Sequence, residues 1–127
     1  MLTREQKKNR KIWVEALRSG KYEQAAGRLC TVGDAGHGAE FCCLGVWLHI
    51  GDDSDWVPDG ACADDYGCTA FIPAARASND AHVLTRRERK PLGLTTTQMD
   101  TLIDMNDGPH TFNNIADQID AWTKEGR

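Results

Sequence analysis

Two features of membrane and secreted proteins are missing from this chain of 127 residues. The longest apolar run, residues 41–50, is far shorter than the roughly 20 apolar residues that a membrane-spanning helix needs. The N-terminal residues contain no apolar stretch that could serve as a signal sequence. These absences predict a protein that stays in the cytosol and does not bind membranes.

An excess of positive charge is also missing. The chain has 15 lysines and arginines against 19 aspartates and glutamates, which gives a net charge of -4. This balance argues against a constitutive nucleic-acid binder, because such binding depends on clustered Lys and Arg. The charges are unevenly distributed, since residues 1–30 carry eight basic and three acidic side chains and residues 31–80 carry one and nine. The sequence therefore predicts a basic N-terminal patch and an acidic middle.

No motif in the chain is typical of a particular reaction or of a metal site. The cysteines are odd in number, and a reducing cytosol disfavours disulfides, so free thiols are expected at Cys30, Cys42, Cys43, Cys62 and Cys68. Neither the adjacent Cys42 and Cys43 nor the pair Cys62 and Cys68 has the two-to-four-residue spacing of a zinc knuckle. No nucleophile signature surrounds any cysteine or histidine. We therefore predict a protein without metal or cofactor that binds a partner and does not catalyse a reaction.

Capping signals predict helices at both ends of the chain. Thr3 and Thr95 are each followed three residues later by glutamine, which is the pattern of a capping box, and Thr111 precedes an apolar stripe at helical spacing. The first helix should end at Arg18 or Ser19. Two C-terminal helices should span residues 96–106 and 111–123, with a tight turn at 107–109 between them.

The apolar run of residues 41–50 is the predicted centre of the core. We interpret it as a short buried helix, because Gly51 stands where a left-handed cap would be and loop residues follow. Apolar stripes should pack against this run from the first helix (Ile12, Trp13, Ala16, Leu17) and the last (Ile115, Ile119, Trp122). In the first helix, Lys and Arg should occupy the opposite face.

Shorter elements are predicted between these helices. Residues 28–32 have the composition of a short strand, and extended pieces at 56–57 and 69–72 could pair, with Pro58 and Pro73 limiting each one. The basic residues 86–90 could form one helical turn that Pro91 interrupts. The predicted fold class is α+β, predominantly α. It is one domain, residues 1–127, of three to five helices around the buried segment 41–50, with a small irregular β lobe at about 52–80.

Several strings resemble a group of small uncharacterised proteins of tailed phages and prophages. They are Trp13-x-x-Ala16-Leu17-Arg18-Ser19-Gly20-x-Tyr22-x-Gln24, Gly27-Arg28-Leu29, Phe41-Cys42-Cys43-Leu44-Gly45-Val46, Leu102-x-x-Met105-Asn106-Asp107-Gly108 and Phe112-x-x-Ile115-Ala116-Asp117-x-Ile119. The resemblance covers most of the chain and implies a phage accessory protein in the cytosol of a host cell. It implies no catalytic activity. Small phage proteins of this kind often block host defence by sequestering a signal molecule or by covering a host protein.

Two functional hypotheses follow from these patterns. The first is sequestration of a small anionic, nucleotide-derived signal by a polar set of predicted ligand-binding residues: Arg18, Tyr22, Gln24, Arg28, Asn106 and Asp107. The same residues could instead be turn and capping residues and solvated charges. The second hypothesis is an inhibitor that presents the acidic lobe 52–80 to a host defence protein. A small thiol or hydrolytic enzyme is the weakest alternative, and a homo-oligomer is compatible with all three.

Overall fold

Helices dominate this computed structural model, which describes residues 2–25, 30–33, 40–51, 56–63, 68–73 and 83–127. The described helices are α1 (Arg4–Arg18), α2 (Cys43–Gly51), α3 (Arg86–Arg89), α4 (Thr96–Asp107) and α5 (Phe112–Lys124). The described strands are β1 (Glu23–Gln24), β2 (Cys30–Gly33), β3 (Glu40–Phe41), β4 (Trp56–Ala63) and β5 (Cys68–Pro73). A 3₁₀ turn, Lys90–Leu92, follows α3 directly. This arrangement confirms the predicted α+β fold that is predominantly α.

Helix α1 begins and ends as its capping signals predict. Thr3 accepts a hydrogen bond from the backbone N–H of Gln6, and the Gln6 side chain accepts one from the N–H of Thr3. The predicted faces are partly wrong, however, because Arg10 is buried and Ile12 is 39% exposed. Ile12 lies at the edge of the apolar stripe, whereas the guanidinium of Arg10 finds hydrogen-bond acceptors inside the protein.

The predicted buried helix in the apolar run is confirmed as α2. Leu44 and Val46 have no exposed surface, and the indole nitrogen of Trp13 donates to the carbonyl of Cys43 at 2.8 Å, which joins α1 to the start of α2. Two details differ from the prediction. Phe41 belongs to strand β3, and Gly51 is the last helical residue.

The strands form one sheet in the order β1-β3-β2-β5-β4 within the described residues. Strand β1 runs parallel to β3, and the other neighbouring pairs are antiparallel. The predicted pairing of the pieces near 56–57 and 69–72 is confirmed, since Val57 lies opposite Ile72. The predicted limit at Pro58 is wrong, because β4 continues to Ala63. Strand β4 stands at the end of the strand order, where proline is tolerated because its missing N–H need not pair.

The basic segment forms one α-helical turn, as predicted, and this turn ends at Arg89, just before the 3₁₀ turn that contains Pro91. Thr85 caps α3 in a reciprocal box with Glu88. Pro91 then stands at the start of the 3₁₀ turn, where its absent N–H would have no intrahelical partner. Gly93 ends the turn in the left-handed conformation at φ 59°. The helical turn and the 3₁₀ turn together carry four basic side chains, Arg86, Arg87, Arg89 and Lys90.

The two C-terminal helices are confirmed at almost the predicted boundaries. Thr95 and Thr111 each cap their helix through a reciprocal box. Ile115 and Ile119 are fully buried and Trp122 is buried, all within the same apolar cluster as α2. Helix α5 packs most extensively against α1, and its apolar stripe belongs to one buried cluster that also contains residues of α1, α2 and α4.

Candidate functional site

The predicted ligand-binding residues Gln24 and Asn106 meet in the structure. Asn106, in the last turn of α4, is 4% exposed. Its side-chain oxygen accepts hydrogen bonds from the backbone N–H of Cys43 at 3.1 Å and from the amide of Gln24 at 3.3 Å. Its side-chain nitrogen donates to the carbonyl of Ala25 at 2.5 Å. Asn106 therefore ties β1 and the start of α2 to the end of α4.

Gln24 uses the rest of its amide in the same region. Its nitrogen also donates to the carbonyl of His110 at 2.9 Å, and its oxygen accepts from the backbone N–H of Phe112 at 3.1 Å. Phe112 is the first residue of α5, whose leading N–H groups have no partner within the helix. Gln24 therefore holds the turn between α4 and α5, and a ligand at this position would have to replace these bonds.

Arg18 forms ion pairs with two carboxylates of α5. Its guanidinium lies 2.6 Å from Asp117 and 2.8 Å from Asp120, and these hydrogen bonds, that to Asp117 most strongly, raise the pKa of Arg18. The Arg18 side chain is 40% exposed, which leaves the pair in contact with solvent. An anion would have to compete with both aspartates for this guanidinium.

The other predicted site residues are less closely connected. The ring of Tyr22 stands edge-on to Phe41 and to His49, with 5.7 Å between centroids in each case. Asp107 is exposed at the end of α4, next to Asn106. Arg28 lies outside the described residues. The structure thus joins Gln24 and Asn106 directly and holds Arg18 against α5, while the role of all six in ligand binding stays a prediction.

A second polar region lies where α3 and the 3₁₀ turn meet the N-terminal part of α1. A cleft of about 790 Å³ opens there, which we call the basic cleft. Its described lining is Gln6, Arg86, Arg87, Arg89, Lys90, Gly93 and Leu94. Four cationic side chains within five positions of the chain therefore converge on one concave surface.

Hydrogen bonds from side chains of α1 hold the backbone of the 3₁₀ turn at the basic cleft. The side-chain nitrogen of Gln6 donates to the carbonyl of Lys90 at 3.0 Å, and Asn9 donates to the carbonyl of Pro91 at 2.9 Å. Deeper inside, Arg10 donates to the carbonyls of Leu92 at 2.7 Å and Gly93 at 3.0 Å. The backbone that carries the cations is thus anchored to the rigid first helix.

Arg10 is a buried cation that sequence reasoning missed. Its guanidinium also donates to the Thr123 hydroxyl and to the backbone oxygen of Arg127, so it joins α1, the 3₁₀ turn and the end of α5. Burial lowers the pKa of Arg10, because removal from water disfavours the charged form. Among the described residues, its partners are backbone oxygens and one hydroxyl group. These hydrogen bonds indicate a structural role for Arg10, which holds α1, the 3₁₀ turn and the end of α5 together behind the cleft.

The four cations of the basic cleft differ from Arg18 in their ion pairing. In the part of the chain that the structure describes, Arg86, Arg87, Arg89 and Lys90 form no ion pair. Arg89 donates weakly to the carbonyl of Leu94 at 3.4 Å, while its Nε is buried without a hydrogen-bond partner among the described residues. A buried donor left unpaired costs about 1–3 kcal/mol.

The thiols of Cys42 and Cys43 are free and buried. Burial raises the pKa of Cys42 from its ordinary 9.0 to about 11 and raises the pKa of Cys43 well above the ordinary value. Both thiols therefore stay protonated at neutral pH and are poor nucleophiles. The side chains of Cys30, Cys62 and Cys68 lie outside the description. Among the described residues, no three His, Cys, Asp or Glu side chains are grouped to hold a metal ion.

Comparisons with known proteins give the family and no activity. A family model described as "Domain of unknown function (DUF8296)" matches residues 5–123, which is nearly the whole chain. The chain therefore belongs to this family. No curated protein and no solved structure matches it. No helix in the described ranges is long and apolar enough to cross a bilayer.

Proposed function

We propose that this member of the DUF8296 family is a non-enzymatic binding protein that sequesters a small anionic, nucleotide-derived signal. The basic cleft supports this proposal more directly than any other described feature. Its volume of about 790 Å³ lies within the roughly 300–1,000 Å³ of typical small-ligand sites. Its four cations form no ion pair within the described residues, so they would attract an anion with little competition from those residues.

The lining of the basic cleft supports binding over chemical turnover. Its described side chains include no cysteine, serine, histidine or carboxylate that could act as a nucleophile or a general base. Arginine is a poor proton-transfer group, because its pKa lies above about 12. Residues of this kind hold and orient anions, which is what sequestration requires.

The biological setting in this proposal comes from the sequence resemblance. A phage accessory protein in the cytosol of a host cell would counter defence by removing a nucleotide-derived signal from its receptor. The proposal differs from the first sequence hypothesis in location, because Arg18, Gln24 and Asn106 already bond within the protein. The two locations can be separated by mutation.

Calorimetric titration with a panel of mono-, di- and cyclic nucleotides tests the proposal. We expect Arg86→Gln and Lys90→Gln each to weaken binding by about 1.5–3 kcal/mol, the value of a hydrogen bond to a charged group. The matched control is Arg4→Gln, which removes one charge from the exposed face of α1 outside the cleft. Binding by this control should equal that of the wild type.

Other results would redirect or end the proposal. If Arg18→Ala abolishes binding and the cleft variants do not, the ligand binds at the first predicted site. If no nucleotide binds at millimolar concentration, sequestration is wrong. The acidic-inhibitor hypothesis would then be tested by neutralising Asp52, Asp53, Asp55, Asp64 and Asp65 and measuring the salt dependence of association with host proteins.

A further inference from the structure

We infer that the basic cleft recognises clustered phosphate groups and does not read a base, so that its ligand class is a compact polyphosphate-bearing small molecule. This inference rests on the proposed function and specifies the chemistry of its ligand. Three observations carry it: the density of cations in the cleft, the absence of base-reading groups in its described lining, and the position of the exposed cations of α1 away from the cleft.

The density of cations exceeds what one phosphate group can use. Arg86, Arg87, Arg89 and Lys90 all line the same concave surface. A guanidinium binds a phosphate through two parallel N–H donors, whereas an ammonium acts as a point charge that can bridge neighbouring oxygens. Like charges at positions i and i+4, such as Arg86 and Lys90, repel each other in the free protein. Two or three linked phosphates would relieve this repulsion, and a single phosphate would do so only in part.

The described lining lacks the groups with which proteins read a base. Bases are commonly held by stacking on aromatic rings and by hydrogen bonds to their edges. No Trp, Tyr, Phe or His belongs to the described lining. Gln6, its neutral polar side chain, already accepts from the N–H of Thr3 at 2.9 Å and donates to the carbonyl of Lys90. A nucleoside attached to the phosphates would therefore make no specific contacts with the described lining.

The placement of the cations on α1 favours a compact ligand over an extended polyanion. At about 100° per residue, Arg4, Lys8 and Lys11 lie roughly 140–160° around the helix from Gln6, which faces the cleft, and Lys7 lies about 100° from it. All four are exposed. A nucleic-acid strand that followed the cleft would therefore pass Lys7 at most and would not meet the other three of these cations of α1.

Calorimetric titration with inorganic triphosphate, ATP, GTP, AMP and a single-stranded oligonucleotide at one ionic strength tests the inference. We expect inorganic triphosphate, ATP and GTP to bind within about threefold of one another, since the phosphates supply the contacts. AMP should bind at least about tenfold more weakly, because its single phosphate forms fewer charged hydrogen bonds than three linked phosphates do. Arg86→Gln should weaken triphosphate binding about tenfold or more, and the control Arg4→Gln should not change it.

The contrary outcomes distinguish this inference from the proposed function. If ATP or GTP binds and inorganic triphosphate does not, base recognition is required and the inference is overturned while sequestration stands. If none of the anions binds, both fail. If the oligonucleotide binds more tightly than triphosphate and Arg4→Gln weakens it as much as Arg86→Gln does, the surface serves an extended polyanion. Melting curves without ligand should be unchanged in Lys90→Gln, whose exposed side chain can be altered if Arg86→Gln folds poorly.

Discussion

The amide nitrogen of Gln24 lies 3.3 Å from the side-chain oxygen of Asn106, and this hydrogen bond joins strand β1 to the last turn of α4. The same oxygen of Asn106 accepts from the backbone of Cys43, where the central helix begins. Two residues that the sequence suggested as ligand-facing thus form a polar junction between the sheet and the helices. Mutation of Gln24 and Asn106 shows whether these residues stabilise the fold or bind a ligand.

Asn106→Ala should destabilise the protein by at least about 1–3 kcal/mol, because it leaves the N–H of Cys43 and the carbonyl of Ala25 without their partner. Urea unfolding of the wild type and the variant measures this difference. Gln24→Ala is the comparison, with a smaller expected loss, since its partners are partly exposed. Unchanged stability in Asn106→Ala together with lost ligand binding would instead identify Asn106 as a ligand contact.

Ile119→Ala should reduce the free energy of unfolding by about 2–5 kcal/mol, as expected for a large-to-small change at a fully buried position of α5. Ile12→Ala is the matched control, because Ile12 is 39% exposed and its removal leaves no closed cavity. Denaturant melts of both variants give the comparison. Similar losses in the two variants would contradict the packing of α5.

Gly93→Ala should destabilise the protein more than Gly20→Ala. Both glycines have positive φ, which costs other residues about 1–2 kcal/mol. At Gly93 an added Cβ would also meet Leu2 Cδ2 at 2.6 Å and Gln6 Cδ at 2.9 Å, whereas at Gly20 no atom lies within 4 Å. Thermal melts of the two variants isolate the contact with α1. Equal melting temperatures would show that α1 does not close over Gly93.

The buried thiol of Cys42 should make the protein less stable as the pH rises from about 9 to about 11. The pKa of Cys42 is raised from its ordinary 9.0 to about 11. In this interval the unfolded chain releases the thiol proton and the folded protein keeps it, so the free energy of unfolding falls with rising pH. Below pH 9 both states keep the proton and the contribution is constant.

Cys42→Ala should therefore show a shallower decline over the same pH interval, measured by urea unfolding at several pH values. The comparison of slopes removes the constant cost of the substitution itself. Titration of lysines and tyrosines affects both proteins alike. Equal slopes in the two proteins would mean that the Cys42 thiol is accessible to water in the folded state.

Local physics explains which elements could be predicted from the sequence. The reciprocal boxes at Thr3, Thr95 and Thr111 lie within four residues of chain, so helix starts are encoded locally and were predicted correctly. The burial of the apolar run 41–50 followed from its continuous apolar character, whereas the choice of a helix relied on a cap at Gly51, which is instead the last helical residue. The predicted stop at Pro58 failed because the edge position of β4, a property of the whole sheet, removes the penalty for a missing N–H.

The polar sites depended on contacts between distant parts of the chain. The sequence determined that residues 86–90 are strongly basic and that Gln24 and Asn106 are polar residues near turns. Only the tertiary structure placed Gln24 and Asn106 in one hydrogen-bonded junction, buried Arg10 behind the 3₁₀ turn and set Gln6 of α1 against Lys90, which gives the cations a concave surface. Composition fixes which charges exist, but convergence and burial, which decide what those charges can bind, arise from contacts more than 80 residues apart in the chain.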